Sequence, residues 1–322
     1  MVEITVKKFY EDKKKKFLLN LVAGVEGLSR KIKRSVVQRP SFILAGYTED
    51  FAEKRLQIMG TTEISYLSSL SPQKARKAVE SLFHFPIPAL IISKGMSPPD
   101  FMVNLAEEKK VPLFVSTLST EELFTQTTLY LDSVFAPKIS IHGTMMDVYG
   151  VGILYIGRAG IGKSECALDL VERGHRLVAD DVVMLTRRAG QVLIAKGAPN
   201  AGHFLEIRGV GIVDIERLFG IRAIRIQKRV ELEVHLELWE NTDEHERIGL
   251  DDNYTTCLGV EIPKITIPIS PGKNITAISE AIAMNHMLKV YGYHPAKEFM
   301  AKMQERMRRQ QITEGYLESD FE

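Results

Sequence analysis

The stretch GILYIGRAGIGKSECALDL, residues 152–170, lies near the middle of a 322-residue chain, and its reading decides how the rest is organised. Gly157, Gly162, Lys163 and Ser164 keep the spacing G-x-x-x-x-G-K-S. Apolar Ile153, Leu154, Tyr155 and Ile156 precede the motif as a strand, and Ala167, Leu168, Leu170 and Val171 follow it as a helix, which is the context a phosphate loop requires. Glycines at 157, 160 and 162 let the backbone curl so that successive N–H groups and the helix start face phosphate oxygens. The predicted loop therefore comprises Gly157, Arg158, Ala159, Gly160, Ile161, Gly162, Lys163 and Ser164. Lys163 is suited to neutralise the β- and γ-phosphates and Ser164 to offer its hydroxyl to Mg²⁺. The bland alternative, a glycine turn capped by Ser164, does not account for the flanking strand and helix.

Working outward, Asp180 and Asp181 follow the apolar run RLVA only 17 and 18 positions after Lys163. That leaves room for the loop helix and the very next strand. Neighbouring strand side chains point opposite ways, so one carboxylate can face a metal at the loop and the other a substrate hydroxyl. A solvated acidic pair at a strand end is the competing reading. His142, before Gly143, can approach the same region from a neighbouring strand, although a lone histidine is more often structural. Glu206 lies in FLEIRGVGIVDI, where Gly209 and Gly211 mark either close approach to a ligand or a turn. Arg247, in HERIGLDD, is a phosphate clamp or a surface arginine.

Composition sets limits on these readings. With 45% hydrophobic and 26% charged residues and a formal net charge of +1, the chain reads as a soluble globular protein with no general attraction to nucleic acid. Lys13, Lys14, Lys15 and Lys16 precede a mixed segment with no long apolar core, so neither a membrane span nor export is indicated and a cytoplasmic location is expected. Cys166 and Cys257 have neither the number nor the spacing for a disulfide framework or metal knuckle, and both read as structural thiols.

The length suits two domains, 1–136 and 137–322, with the boundary at Ala136 and Pro137. In the first, SFILAGY, PALIISKG and VPLFVS read as buried strands. SPQKARKAVESLF reads as a helix capped by Ser71 with Pro72 in its first turn, and STEELFTQTTLYLDSVF as another. Their alternation predicts a small α/β domain with a mostly parallel sheet. In the second, KISIHGTMMDVYGVGILYIG reads as a hairpin running into the loop, and HRLVADDVVMLTRRAGQVLIAKG as two strands around RRAG. Val230, Leu232, Val234, Leu236 and Leu238 alternate with Glu231, Glu233, His235 and Glu237, predicting one buried and one wet face. EIPKITIPIS reads as a last strand before two helices separated at Gly292 and Pro295.

GRAGIGKSECALDLVERGHRLVADD, His142 in SIHG, LEIRGVGIVDI, ERIGLDD and IPISPGKNI together resemble the bacterial HPr kinase/phosphorylase family, in that family's order and over nearly the whole chain. The resemblance implies an α/β fold, with a small N-terminal α/β domain and a C-terminal P-loop kinase domain similar to the nucleotide-binding core of phosphoenolpyruvate carboxykinases. It implies transfer of the ATP γ-phosphoryl to a serine of the phosphocarrier protein HPr, and attack of inorganic phosphate on that phosphoserine to give pyrophosphate. By the same resemblance the loop 157–164 holds ATP, Ser164 and Glu206 serve Mg²⁺, and Lys163 orients phosphates. Asp181 is the base of the forward step and the acid of the reverse, and His142 and Arg247 belong to the active site. Residues 205–214 match a signature needed in both directions and residues 268–273 a loop tied to dephosphorylation, and a homo-hexamer is implied. Ala159 stands where family members commonly carry Ser or Thr, a change that nucleotide binding is expected to survive; Ser270 and Lys273 stand where they often carry Arg, which predicts weaker binding of inorganic phosphate or phosphoserine. A small-molecule P-loop kinase and a nucleotide-controlled regulatory scaffold are the alternatives; an open acceptor face near Asp181 would speak against the first.

Overall fold

The computed structural model describes residues 3–199, 201–238, 253–270 and 272–319. The chain divides into two compact units, Met1–Ala136 and Pro137–Glu322.

The first unit is built on a four-stranded sheet in the order Leu19–Ala23, Leu113–Ser116, Leu90–Ile92, Gln57–Met59. The last three pair in parallel and Leu19–Ala23 runs antiparallel to them, so the sheet is mostly parallel. Helix Pro72–His84 turns Ala75, Val79, Leu82 and Phe83 onto one buried face, the i, i+4, i+7 spacing that makes an apolar stripe. Ser71 stands at its N-cap position without a side-chain cap bond, whereas Ser119 accepts the Glu122 N–H and caps helix Thr120–Phe135. The run SFILAGY is not a strand. Ser41–Leu44 is a short helix burying Ile43 and Leu44, and Gln57–Met59 supplies the sheet edge. Four apolar letters carry no period that separates one helical turn from a strand.

In the second unit a mixed six-stranded sheet runs Arg176–Ala179, Thr144–Val148, Val151–Ile156, Leu232–Leu238, Val260–Ile269, Asn253–Cys257. Leu232–Leu238 pairs in parallel with both its neighbours. A second, antiparallel sheet runs Gln227–Arg229, Val192–Gly197, Val182–Arg188, Lys138–His142. The two sheets share a core of Met145, Leu154, Val178, Val183, Leu185, Leu193 and Ile262. On the opposite face of the six-stranded sheet, Ile153 and Val234 pack with Ala167 and Leu170 of the loop helix, Lys163–Glu172, and with Ala283 of helix Ile275–Val290. The loop helix is thus clamped on a sheet that is covered on both faces.

This layering changes two expectations. The polar face of Leu232–Leu238 is only partly wet: Glu233 is buried and lies 2.7 Å from His235 Nε2, while His235 and Glu237 keep partial exposure. Alternation records which residues share a face, but the second sheet covers the face that the acidic row occupies. HRLVADDVVMLTRRAGQVLIAKG forms three strands rather than two, because the chain breaks at Asp180 and Asp181 and changes sheet there. Helix Ile275–Val290, capped by Asn274, is tied to the far end of the loop helix through Glu280. Its carboxylate accepts from Arg173 Nη1 at 2.9 Å and from Tyr149 OH at 3.4 Å, and lies 3.1 Å from His175 Nε2. Helix Pro295–Ser319 follows. Among the described residues, no helix is long and apolar enough to cross a membrane.

Candidate functional site

The loop between strand Val151–Ile156 and helix Lys163–Glu172 is anchored by Ile161, which is buried in the same core as the loop helix. Arg158, Ala159 and Gly160 form its exposed crest. Gly162 initiates the helix at φ 102°, a backbone region that only glycine enters cheaply. The first N–H groups of the helix have no intrahelical acceptor, and with the positive end of the helix dipole they make an anion site. Lys163 is buried, its ammonium donating to the carbonyls of Gly157 at 2.9 Å and Arg158 at 3.1 Å. One turn on, Cys166 faces the core 4.0 Å from Ser279 Oγ, and burial pushes its thiol up to about 11. Cys257 is half-buried and also free, so neither thiol is set up as a nucleophile.

The chain passes between the two sheets at two adjacent corners, and those corners build the rest of the site. Lys138–His142 belongs to the four-stranded sheet and Thr144–Val148 to the six-stranded one, with Gly143 between them. A methyl group on Gly143 would stand 2.6 Å from the Tyr155 carbonyl oxygen, so the corner requires glycine. At the second corner, Asp180 and Asp181 join Arg176–Ala179 to Val182–Arg188. The corners are locked by the Gly143 N–H donating to Asp181 O at 3.1 Å and by the cross-strand pair His142 and Val182. Asp181 takes φ 63°, left-handed geometry that aspartate and asparagine tolerate better than other side chains.

That tight corner sends the two carboxylates to different partners. Asp180 accepts from Ser164 Oγ at 2.9 Å and from the buried Thr144 Oγ1 at 2.5 Å. Asp181 lies 2.9 Å from His142 Nδ1, with its side chain 74% and that of His142 54% exposed. One carboxylate is engaged with the hydroxyl at the helix start, and its neighbour stands open to solvent against an imidazole.

The remaining positions are less closely joined. Glu206 stands on hairpin Phe204–Ile207/Gly211–Asp214, directly opposite Ile212. Leu205 and Ile207 pack that hairpin into the core shared with the loop helix, while Glu206 is on its exposed face. Among the described residues it makes no hydrogen bond to Ser164 or Asp181. Gly209 and Gly211 adopt φ 82° and 97°, the left-handed region the turn uses, and a methyl group on either would meet no protein atom within 4 Å. Lys273 donates to the Pro268 carbonyl at 2.6 Å, and Arg247 lies outside the described residues. Thr144 stands in the site although sequence reasoning did not single it out, whereas Asp180 was expected there with Asp181, and Arg208 only as a member of residues 205–214. Asp180 carried a signal through its adjacency to Asp181. Thr144 carried none, because it is brought to Asp180 by the pairing of Thr144–Val148 with Arg176–Ala179, strands far apart in the sequence.

A glycine-rich loop opening a helix, oxygen donors at the helix start and an exposed carboxylate beside them define an α/β protein equipped for phosphate chemistry. The family described as HPr Serine kinase C-terminal domain matches residues 133–303, and that described as HPr Serine kinase N terminus matches residues 4–131. The chain belongs to the HPr kinase/phosphorylase family. It is 42% identical to the HPr kinase/phosphorylase of Geobacter sulfurreducens over 95% of this chain and 96% of that one. It is 44% identical to that of Prosthecochloris aestuarii over 92% of this chain and 87% of that one. The solved structure of the Hpr(Ser) kinase/phosphatase from Coxiella burnetii is 36% identical, covering 50% of this chain and 98% of that one with a TM-score of 0.45.

Proposed function

We propose that this chain transfers the γ-phosphoryl group of ATP to a serine of HPr and reverses that modification by phosphorolysis, releasing pyrophosphate. The single observation that carries the assignment is the split of the adjacent carboxylates: Asp180 held at Ser164, and Asp181 exposed beside His142. An open face at the proposed base suits a protein acceptor, whereas a small-molecule acceptor calls for an enclosed pocket. The pairing of the loop strand with Leu232–Leu238 in a mixed sheet supports likening this unit to a P-loop kinase domain with the nucleotide-binding core of phosphoenolpyruvate carboxykinases.

In the forward direction the loop 157–164 holds the nucleotide phosphates, with Lys163 placed against the loop's own backbone as the compensating charge. Asp181 accepts the seryl proton as the serine oxygen attacks the γ-phosphorus, and the bond to the β–γ bridging oxygen breaks to leave ADP. In the reverse direction an oxygen of inorganic phosphate attacks the phosphorus of phosphoserine, Asp181 returns the proton to the serine oxygen, and pyrophosphate leaves, as microscopic reversibility demands. His142, with its Nδ1 2.9 Å from the Asp181 carboxylate, orients Asp181. Arg247 is assigned to the same site on family grounds.

Ser164 and Glu206 are the residues proposed to hold Mg²⁺, and their oxygen donors suit a hard cation. By accepting the Ser164 hydroxyl proton, Asp180 leaves the hydroxyl oxygen's lone pairs available for a cation. Mg²⁺, when bound, neutralises phosphate charge. The exposed Met284, Met287, Leu288, Val290 and Tyr291 support self-association through the C-terminal helices into the homo-hexamer.

The test is direct. The purified chain with Mg-ATP and HPr should form acid-stable phosphoserine, and adding inorganic phosphate to phosphorylated HPr should release pyrophosphate. Absence of serine phosphorylation across a range of metal concentrations and pH would sink the proposal.

A further inference from the structure

Arg208 belongs to the segment 205–214 but has been given no role of its own, yet its guanidinium lies over the crest of the phosphate loop. A methyl group on Gly160 would stand 2.5 Å from Arg208 Nη2, 3.3 Å from Cζ and 3.7 Å from Nη1. The absence of a Cβ at Gly160, which takes φ 72°, is therefore what lets the planar head settle against the loop backbone. The approach is held from behind. Leu205 and Ile207 root the hairpin in the core that also contains Ile161, Cys166 and Ala167, and Arg208 opens the turn one residue beyond that anchor. Glu206 is exposed on the same hairpin, two residues before Arg208.

The donors of Arg208 are uncommitted. Among the described residues its guanidinium has no hydrogen-bond or ion-pair partner, whereas the Lys163 ammonium donates to Gly157 O and Arg158 O and the Lys273 ammonium to Pro268 O. An arginine presents a rigid fork of N–H donors that matches two oxygens of one phosphate, where a lysine presents a point charge. A fork poised over a loop of backbone N–H groups faces the same anion from the opposite side. We propose that Arg208 is a phosphate-binding residue of this site, closing on the oxygens of the transferred phosphoryl group in the forward reaction and on pyrophosphate and inorganic phosphate in the reverse.

The proposal deepens the phosphotransfer reading and rests on it, and the experiment separates the two. Pyrophosphate is titrated calorimetrically, with Mg²⁺ present, into the unaltered chain, R208K and R208Q, and the same proteins are assayed for phosphorylation of HPr. R208Q is expected to bind pyrophosphate at least about tenfold more weakly, with R208K between it and the unaltered chain. Its kcat should fall by about 10²- to 10³-fold while KM for HPr changes less than about threefold. Unchanged pyrophosphate affinity in R208Q overturns the proposal, and so does a defect confined to KM for HPr, which would make Arg208 a contact for the protein substrate. R208K keeps the charge and the aliphatic stem, so its partial recovery distinguishes a lost phosphate contact from a disturbed hairpin. If the unaltered chain fails to phosphorylate HPr while R208Q still loses pyrophosphate affinity, the assignment of the acceptor is wrong and that of Arg208 stands.

Discussion

Replacing Asp181 by Asn, Gly and Ala separates the chemistry of this residue from its backbone. At φ 63°, Asn is tolerated nearly as well as Asp, and Gly adopts the conformation without strain. Ala must hold its Cβ against the following carbonyl, which costs about 1 kcal/mol. In a unit the size of Pro137–Glu322 that is a loss of about 2–4 °C in Tm for Ala relative to Asn. All three remove the carboxylate that lies 2.9 Å from His142 Nδ1. Loss of a general base lowers kcat by about 10²- to 10⁴-fold, or roughly 3–5.5 kcal/mol of barrier. The assay is single-turnover formation of phosphoserine on HPr, run beside thermal melts and nucleotide-binding measurements. Activity should fall alike in the three variants while only Ala loses stability, and ATP binding should persist in all of them. Activity of D181N within tenfold of the unaltered enzyme would refute the assignment of the base. An Ala variant that melts with the Asn variant would refute the backbone argument.

Other consequences follow from the same geometry. Asp180→Ala takes the acceptor from Ser164 and from the wholly buried Thr144; it should cost about 1–3 kcal/mol and raise the Mg²⁺ concentration needed for half-maximal activity, read by a metal titration. Gly157→Ala would set a methyl 2.9 Å from Leu236 O and 3.1 Å from Ile161 Cγ2; overpacking of about 1–3 kcal/mol should show as a lower Tm and a smaller Tm gain on adding ATP. Glu280→Gln removes the anion held between buried His175 and half-exposed Arg173, and with the exposed arm discounted for solvent screening it should cost about 1–2 kcal/mol. The hydrogen bond from His175, aided by Arg173, holds the Glu280 carboxyl below its ordinary value of 4.5. Its stabilisation is therefore complete above that value and lost as pH falls through the lower folded-state value, so denaturation midpoints of E280Q and the unaltered chain should converge only below about pH 4.5.

Much of the fold was legible where a signal is confined to a few turns of chain. The apolar face of Pro72–His84, the strands Leu90–Ile92 and Leu113–Ser116, and the break between the last two helices each follow from local period or from a single proline or glycine. Two of the failures share a cause. Ser41–Leu44 and the Glu233 face depend on what covers them, and a period of apolar letters does not report the covering element. Ser41–Leu44 is a helix while Gln57–Met59 takes the sheet edge, and Glu233 is buried on the strand face that looks to the second sheet.

The sequence by itself determined the strand, loop and helix around Lys163, since eight contiguous residues carry the glycines, the cation and the hydroxyl, and a phosphate cradle is a local backbone shape. Tertiary structure alone decided how the adjacent carboxylates divide. Asp180 meets Thr144 and Ser164, and Asp181 meets His142, because the chain crosses between two sheets at Gly143 and again at the aspartates, and those crossings lie side by side. The same holds for Arg208 above Gly160. A partner brought in by sheet packing leaves no period in the sequence, because its distance along the chain is set by the elements between rather than by the contact itself.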